Sequence, residues 1–228
     1  LVNWRDAVSR LDAFADKIEK EDPETVAPLR LQAGVYVWAQ GRSWADRMPE
    51  VGDLPDVSNR ARAYFNDARE RLEKAVAASK ELPVVQDNAR YRLARTLVDL
   101  AELERTDAAK RKAFEADALA KLEAPFDGTS AAAGFALLLK AELLRKVGRI
   151  EEAAKAAELV EQRMPIPPES VLLPTVVSVL IDRTRFVDAI ARIDASSLSV
   201  HEKAVLKVKV RLAQRGRMNA GSERIRVE

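Results

Sequence analysis

The sequence predicts an all-α chain of stacked antiparallel helix pairs, and three observations carry that prediction. Ala, Leu, Val, Arg, Lys and Glu dominate, with only 8 Gly and 10 Pro in 228 residues, a balance that favours helix and leaves little material for hairpin turns. No segment alternates apolar with polar residues between turn signals, as a half-buried strand would. Apolar residues recur instead at three- and four-residue steps, in runs closed by glycine or proline.

The first run starts after Asn3, an N-cap residue, and puts Trp4, Ala7, Val8, Leu11, Phe14, Ala15 and Ile18 on one stripe. Asp22 and Pro23 open the second helix as N-cap and first-turn proline, although Pro28 moves the expected start toward Ala27. Gly41 should end it. Residues 42–56, with two prolines and a glycine, read as an inserted loop. Trp44, Met48, Val51 and Leu54 make that loop too apolar for a solvated linker, so it packs either on the chain or on a partner. Helix resumes near Val57 or Ser58 and runs to about Leu82, closed by Pro83. Residues 87–104, carrying Tyr91, Leu93, Ala94, Leu97, Val98 and Leu100, form the next helix, and 107–122 supply its mate before Pro125.

Residues 134–167 hold the clearest pair. Leu137, Leu138, Ala141, Leu144 and Val147 lead to Gly148, and Ile150, Ala153, Ala157 and Val160 follow before Pro165. Residues 168–194 repeat the pattern in degenerate form, with Phe186 and Ala189 thirty-six residues after Ile150 and Ala153. A last copy starts at His201, with Gly216 at its expected hinge and Gly221 where a second-helix alanine would stand.

With Ala141 eighth, Gly148 fifteenth, Ile150 seventeenth, Ala153 twentieth and Pro165 thirty-second, residues 134–167 resemble a tetratricopeptide repeat. Ala33, Gly34, Val37 and Gly41 fall at the seventh, eighth, eleventh and fifteenth places of a second match, and Ala68, Leu72 and Ala75 at the twentieth, twenty-fourth and twenty-seventh. The resemblance implies a right-handed α-solenoid over residues 1–228 in which each hairpin buries its apolar face on its neighbours. Other stacked helical pairs or a bundle would obey the same small-residue rule. Residues 3–11 look like a second helix lacking its first, or else a single capping helix, and the last copy stops inside its second helix. Both ends then cut a repeat, as in a portion of a longer protein.

In this family the second, fifth, ninth and twelfth residues of each first helix face a concave groove that binds a protein segment. The resemblance places Pro28, Leu31, Val35 and Trp38 there, then Asn88, Tyr91, Arg95 and Val98, then Phe135, Leu138, Glu142 and Arg145. Aromatic and aliphatic side chains would anchor the segment, with Arg95, Glu142 and Arg145 setting specificity. The other reading of Leu31, Val35, Trp38 and Leu138 is plain core beneath a neighbouring helix. Family members that clamp a chaperone's carboxylate tail use asparagine and lysine at set groove positions, a set this chain does not reproduce. The resemblance thus implies a non-enzymatic interaction scaffold, with a helical part of a larger enzyme or regulator and a self-assembly module as alternatives.

The residues support no rival chemistry. The 38 basic and 36 acidic residues nearly cancel to +2, so no strong field gathers nucleic acid. Arg90, Arg92, Arg95, Lys110, Arg111 and Lys112 flank Tyr91, but Asp87, Asp99, Glu102, Glu104 and Asp107 interleave with them and read as ordinary ion pairing. His201 is the only histidine and cysteine is absent, which excludes disulfides and thiolate sites while leaving the compartment open. Glu151 with Glu152, and Asp182 with Asp188, read as solvated helix faces rather than acid–base pairs, and Gly216 to Gly221 lacks the Lys-Ser/Thr of a phosphate loop. No cofactor or metal is expected. The longest apolar runs, 131–139 and 171–181, are short of the roughly 20 residues of a membrane span, and Pro174 interrupts the second.

Overall fold

The computed structural model describes residues 4–48, 55–127, 130–162 and 165–227, without the side chains of Trp4, Pro23 and residues 218–227. Asn3, the Trp4 ring, Val51 and Leu54 therefore lie outside the described residues. Among those described there are ten helices and no strand. They are α1 (Trp4–Ile18), α2 (Pro23–Ala45), α3 (Pro55–Ala78), α4 (Pro83–Leu103), α5 (Ala108–Lys121), α6 (Ala131–Lys146), α7 (Ile150–Glu161), α8 (Glu169–Asp182), α9 (Phe186–Asp194) and α10 (Val200–Val227). Contacts group the chain into two compact units, Leu1–Ala133 and Gly134–Glu228.

In the first unit each helix packs on the next in sequence. Asp22 caps α2 by accepting from the Thr25 backbone N–H at 3.2 Å, which satisfies one of the donors a helix start leaves free, so the helix begins at Pro23 with Pro28 inside it. It does not stop at Gly41. A Cβ there would lie 2.5 Å from the Phe65 ring, and one at Gly34 would lie 2.8 Å from Leu72. These two glycines, two turns apart, let α2 and α3 approach closely; Gly41 is a contact point rather than a hinge. Pairing 34 with 72 and 41 with 65 makes the two helices antiparallel. Ala61, Phe65, Ala68, Leu72 and Ala75, at steps of four and three, form the fully buried stripe of α3 that this approach covers.

The expected loop at 42–56 shortens at both ends, because 42–45 are helical and Pro55 is the first residue of α3. Trp44 packs beside Phe65 and Leu100 with the Arg47 and Arg60 guanidiniums 5.0 and 4.8 Å from its ring centre, and Met48 is buried. Pro83 likewise opens α4 instead of only closing α3, since a first-turn residue needs no backbone N–H. Helices two apart also touch in parallel. Arg5 donates to the Tyr64 hydroxyl at 2.8 Å and Arg71 to Asp12 at 2.8 Å, two bonds with one sequence offset that run α1 and α3 the same way, and α2 contacts α4.

In the second unit α7, α8, α9 and α10 pack in chain order, with α8 also on α10. The joint after α6 and the joint after α8 are the same structure thirty-six residues apart. Val147, Gly148 and Arg149 donate backbone N–H bonds to the carbonyls of Leu143, Arg145 and Leu144; Arg183, Thr184 and Arg185 donate to those of Val179, Ile181 and Leu180. Both are the left-handed cap that ends a helix by satisfying its last carbonyls. Gly148 takes φ +79° there and Thr184 φ +60°. Even the side chains repeat, Arg149 bonding Glu152 and Arg185 bonding Asp188 at 2.7 Å each. The α8, α9 and α10 core contains Leu173, Val177, Ile181, Ala189, Ile193, Leu206 and Val210. Gly216 is no hinge: α10 runs through it, with nothing near its Cβ position to force a turn or demand a glycine.

Candidate functional site

The expected groove residues divide between the units, and within each they lie on helices that share a face. In the first unit Leu31 and Val98 are buried, Val35, Trp38, Tyr91 and Arg95 are half-buried and Pro28 is exposed. In the second, Leu138 is buried against Val160 and Leu172, while Phe135, Glu142 and Arg145 are half-buried. Leu31 and Leu138 therefore contribute packing rather than free contact surface, as an apolar side chain one turn inside a covered stripe does.

A residue whose role sequence reasoning missed organises the first-unit face. Asp99 on α4 has a wholly buried side chain. Its carboxylate accepts from the Trp38 indole N–H at 2.6 Å, from Arg42 at 3.2 Å and from Arg95 at 3.1 Å. A buried carboxylate is tolerable only when its lone pairs are met this fully, and the charge-assisted bonds fix Trp38 and Arg95 across α2 and α4. Arg92 lies 5.5 Å from the centre of both the Trp38 and the Tyr91 rings. The outcome is two aromatic rings interleaved with three guanidiniums around one acid.

The second-unit face is a row of polar side chains along α6, α8 and α10. The Thr175 hydroxyl donates to Glu142 at 2.9 Å, and Arg145 donates to Asp182 at 2.5 Å. Lys209 donates to the Ser178 hydroxyl at 2.6 Å, and Arg217 to the Asp182 carbonyl at 3.2 Å. Pairing 142 with 175 and 145 with 182, then 178 with 209 and 182 with 217, makes the three helices parallel. Trp38 to Asp99 and Arg145 to Asp182 are the same contact in different units, a donor on one helix meeting an aspartate near the end of the next helix but one. Partial burial of the Lys209 ammonium, and then the Arg145 charge, hold its pKa below the ordinary lysine value, against opposing pulls from Asp182 and Glu142.

Three further sets of charged side chains bond within the fold. Arg90 reaches the carbonyls of Lys121, Ala124 and Pro125 at the end of α5 and lies 4.3 Å from the Phe126 ring centre. Lys110 and Arg62 pair with Glu104, which is itself buried. Glu169 holds the turn before α10, accepting from the Ser197 hydroxyl at 2.5 Å and backbone N–H at 2.6 Å and from Arg192 at 2.9 Å. Those bonds, the Ser197 hydroxyl foremost, lower its pKa from 4.5 to about 2. Beside it Ile166, Pro167 and Leu172 line a cleft of about 380 Å³. His201 is exposed. Among the described residues no His, Asp and Glu cluster could hold a metal ion, and no helix is long and apolar enough to cross a membrane.

Compared with family models, curated proteins and solved structures, the chain matches none.

Proposed function

We propose that the chain is a non-enzymatic interaction scaffold whose two units are stretches of tetratricopeptide-like solenoid, binding a protein segment on the faces of their first helices. The observation that carries the reading is the recurrence of one arrangement: Trp38 to Asp99 across α2 and α4, and Arg145 to Asp182 across α6 and α8, each set a half-buried donor on one helix against an aspartate on the next helix but one. Antiparallel neighbours, parallel contacts between helices two apart, and the thirty-six-residue repeat of the α6 and α8 joints support the solenoid part. Rings held by guanidiniums suit a binding face because their geometry is set before a partner arrives, which lowers the ordering cost of association.

The test is site-specific photo-crosslinking. A benzoyl-phenylalanine placed at Tyr91 or at Phe135 should capture a protein partner, and one at Ala113 on the exposed side of α5 should not. Capture from Ala113 alone, or from all three equally, would overturn the reading. The Tyr91→Ala and Arg95→Ala pair should lose that partner while keeping helical content, because Asp99 retains Trp38 and Arg42. A second reading, self-assembly, draws on Val205, Val208 and Leu212, which are 56, 57 and 64% exposed at helical spacing along α10. Light scattering at two concentrations separates it from a monomeric scaffold.

A further inference from the structure

Val205, Val208 and Leu212 are 56, 57 and 64% exposed, and their three- and four-residue steps set them on one line along α10. That line faces away from Leu206, Val210 and Ala213, the residues through which α10 joins the core of α8 and α9. The helix thus carries a second apolar stripe that its core does not use. Its own continuation does not cover the stripe, because α10 is unbroken from Val200 to Val227 and the residues past Gly216 run on from it rather than back over it. Basic groups border the stripe. Arg211 and Arg215 follow one edge and Lys209 the other, and all three are exposed. Arg211 meets only the Gln214 side-chain oxygen, at 3.3 Å, and Arg215 has no bonded partner among the described residues. Glu202, the one acid between 200 and 217, is held at the helix start by Ser199.

We infer that this stripe seats an acidic amphipathic helix of another protein, apolar at the same three- and four-residue steps and edged with glutamate or aspartate. Width and charge choose that occupant. The stripe is one residue wide, the seam that one helix lays along another, and it lacks the breadth and the aromatic rings of a helix lying on a bilayer. Its charge disfavours a second copy. An antiparallel pair of α10 helices would set Lys209 and Arg211 each against its own counterpart, and a parallel pair would set Arg211 against Lys209, with no acid opposite in either. An acidic helix instead meets cations on both edges while covering Val205, Val208 and Leu212. The assignment does not rest on the binding role proposed for the row along α6, α8 and α10, with which it shares only Lys209.

The intact chain should be titrated, by fluorescence anisotropy, against three labelled helix-stapled peptides. The first has leucines at three- and four-residue steps edged with glutamates, the second replaces the glutamates with lysines, and the third reshuffles the first so that its leucines no longer align. The first should bind saturably and at least ten-fold tighter than either of the others. Val208→Asp should weaken it at least ten-fold, and Arg211→Glu with Arg215→Glu should reverse the order of the glutamate and lysine peptides, with circular dichroism checking that both variants fold. The charge reversal decides alone if Val208→Asp unfolds the chain. Equal affinity for the glutamate and lysine peptides, or for the aligned and reshuffled ones, would overturn the assignment. So would a dimer in sedimentation that Val208→Asp or the charge reversal dissolves or strengthens, or tighter binding to phosphatidylserine vesicles than to the glutamate peptide.

Discussion

A single carboxylate can hold a turn in place, and Glu169 does so through two bonds to Ser197 and one to Arg192. Its pKa near 2 lies below the ordinary 4.5, so its stabilising contribution is present in full above 4.5 and is lost as pH falls toward 2. Melting temperature should therefore drop between those values in the wild type. Glu169→Gln should melt lower at neutral pH and show a flatter profile through that window; an unchanged profile would mean that the bonds contribute nothing to folding. Asp99 and Lys209 show why residues of this kind escape a reading of the chain alone. Asp99 looked like one of several acids cancelling a basic field, because nothing local announces that Trp38, sixty-one residues away, ends on its carboxylate. The same holds for Lys209, whose bond to Ser178 and whose charged neighbours come from two other helices.

Glycine is ambiguous at the level of the helix, and three glycines here have three meanings. Gly148 is a left-handed cap and could be read as one, since glycine at that place adopts positive φ without a Cβ penalty. Gly41 carries the same letter but serves the close approach of α2 to α3, which exists only once Phe65 is in place. Gly216 lies in an uninterrupted helix with open space around it. Gly41→Ala should accordingly cost about 1 to 3 kcal/mol from overpacking, and Gly216→Ala should gain about 0.5 to 1 kcal/mol of helix propensity; chemical denaturation of the two variants should move the midpoint in opposite directions. Thr184 is the converse case, a left-handed cap without glycine. A β-branched residue is strained there, so Thr184→Gly should stabilise the chain by about 1 kcal/mol, read as a higher melting temperature. A lower one would show that the Thr184 hydroxyl, bonded to the Arg183 carbonyl at 2.6 Å, outweighs the strain. The small-residue positions Ala68, Ala153 and Ala189 were legible because they repeat; Thr184 was not, because its backbone repeats while its letter does not.

At the scale of the molecule, the joints that close α6 and α8 set a length. From Gly148 to Thr184 the backbone returns to the same cap with the same three hydrogen bonds, and so does the arginine that follows. Excision of residues 149–184 would join Gly148 to Arg185 and leave the Leu143, Leu144 and Arg145 carbonyls with their donors, now supplied by Val147, Gly148 and Arg185. Leu137 and Ala141 would stand where Leu173 and Val177 stand beneath α9. The shortened chain should keep its helicity and melt cooperatively at a lower temperature, whereas a cut of the same size displaced by half a helix should not fold. Loss of cooperative melting in the in-phase deletion would show that the interval is not a module. If it folds, the chain is quantised in length: a gene encoding it can gain or lose thirty-six codons by misaligned recombination and still specify a folded product.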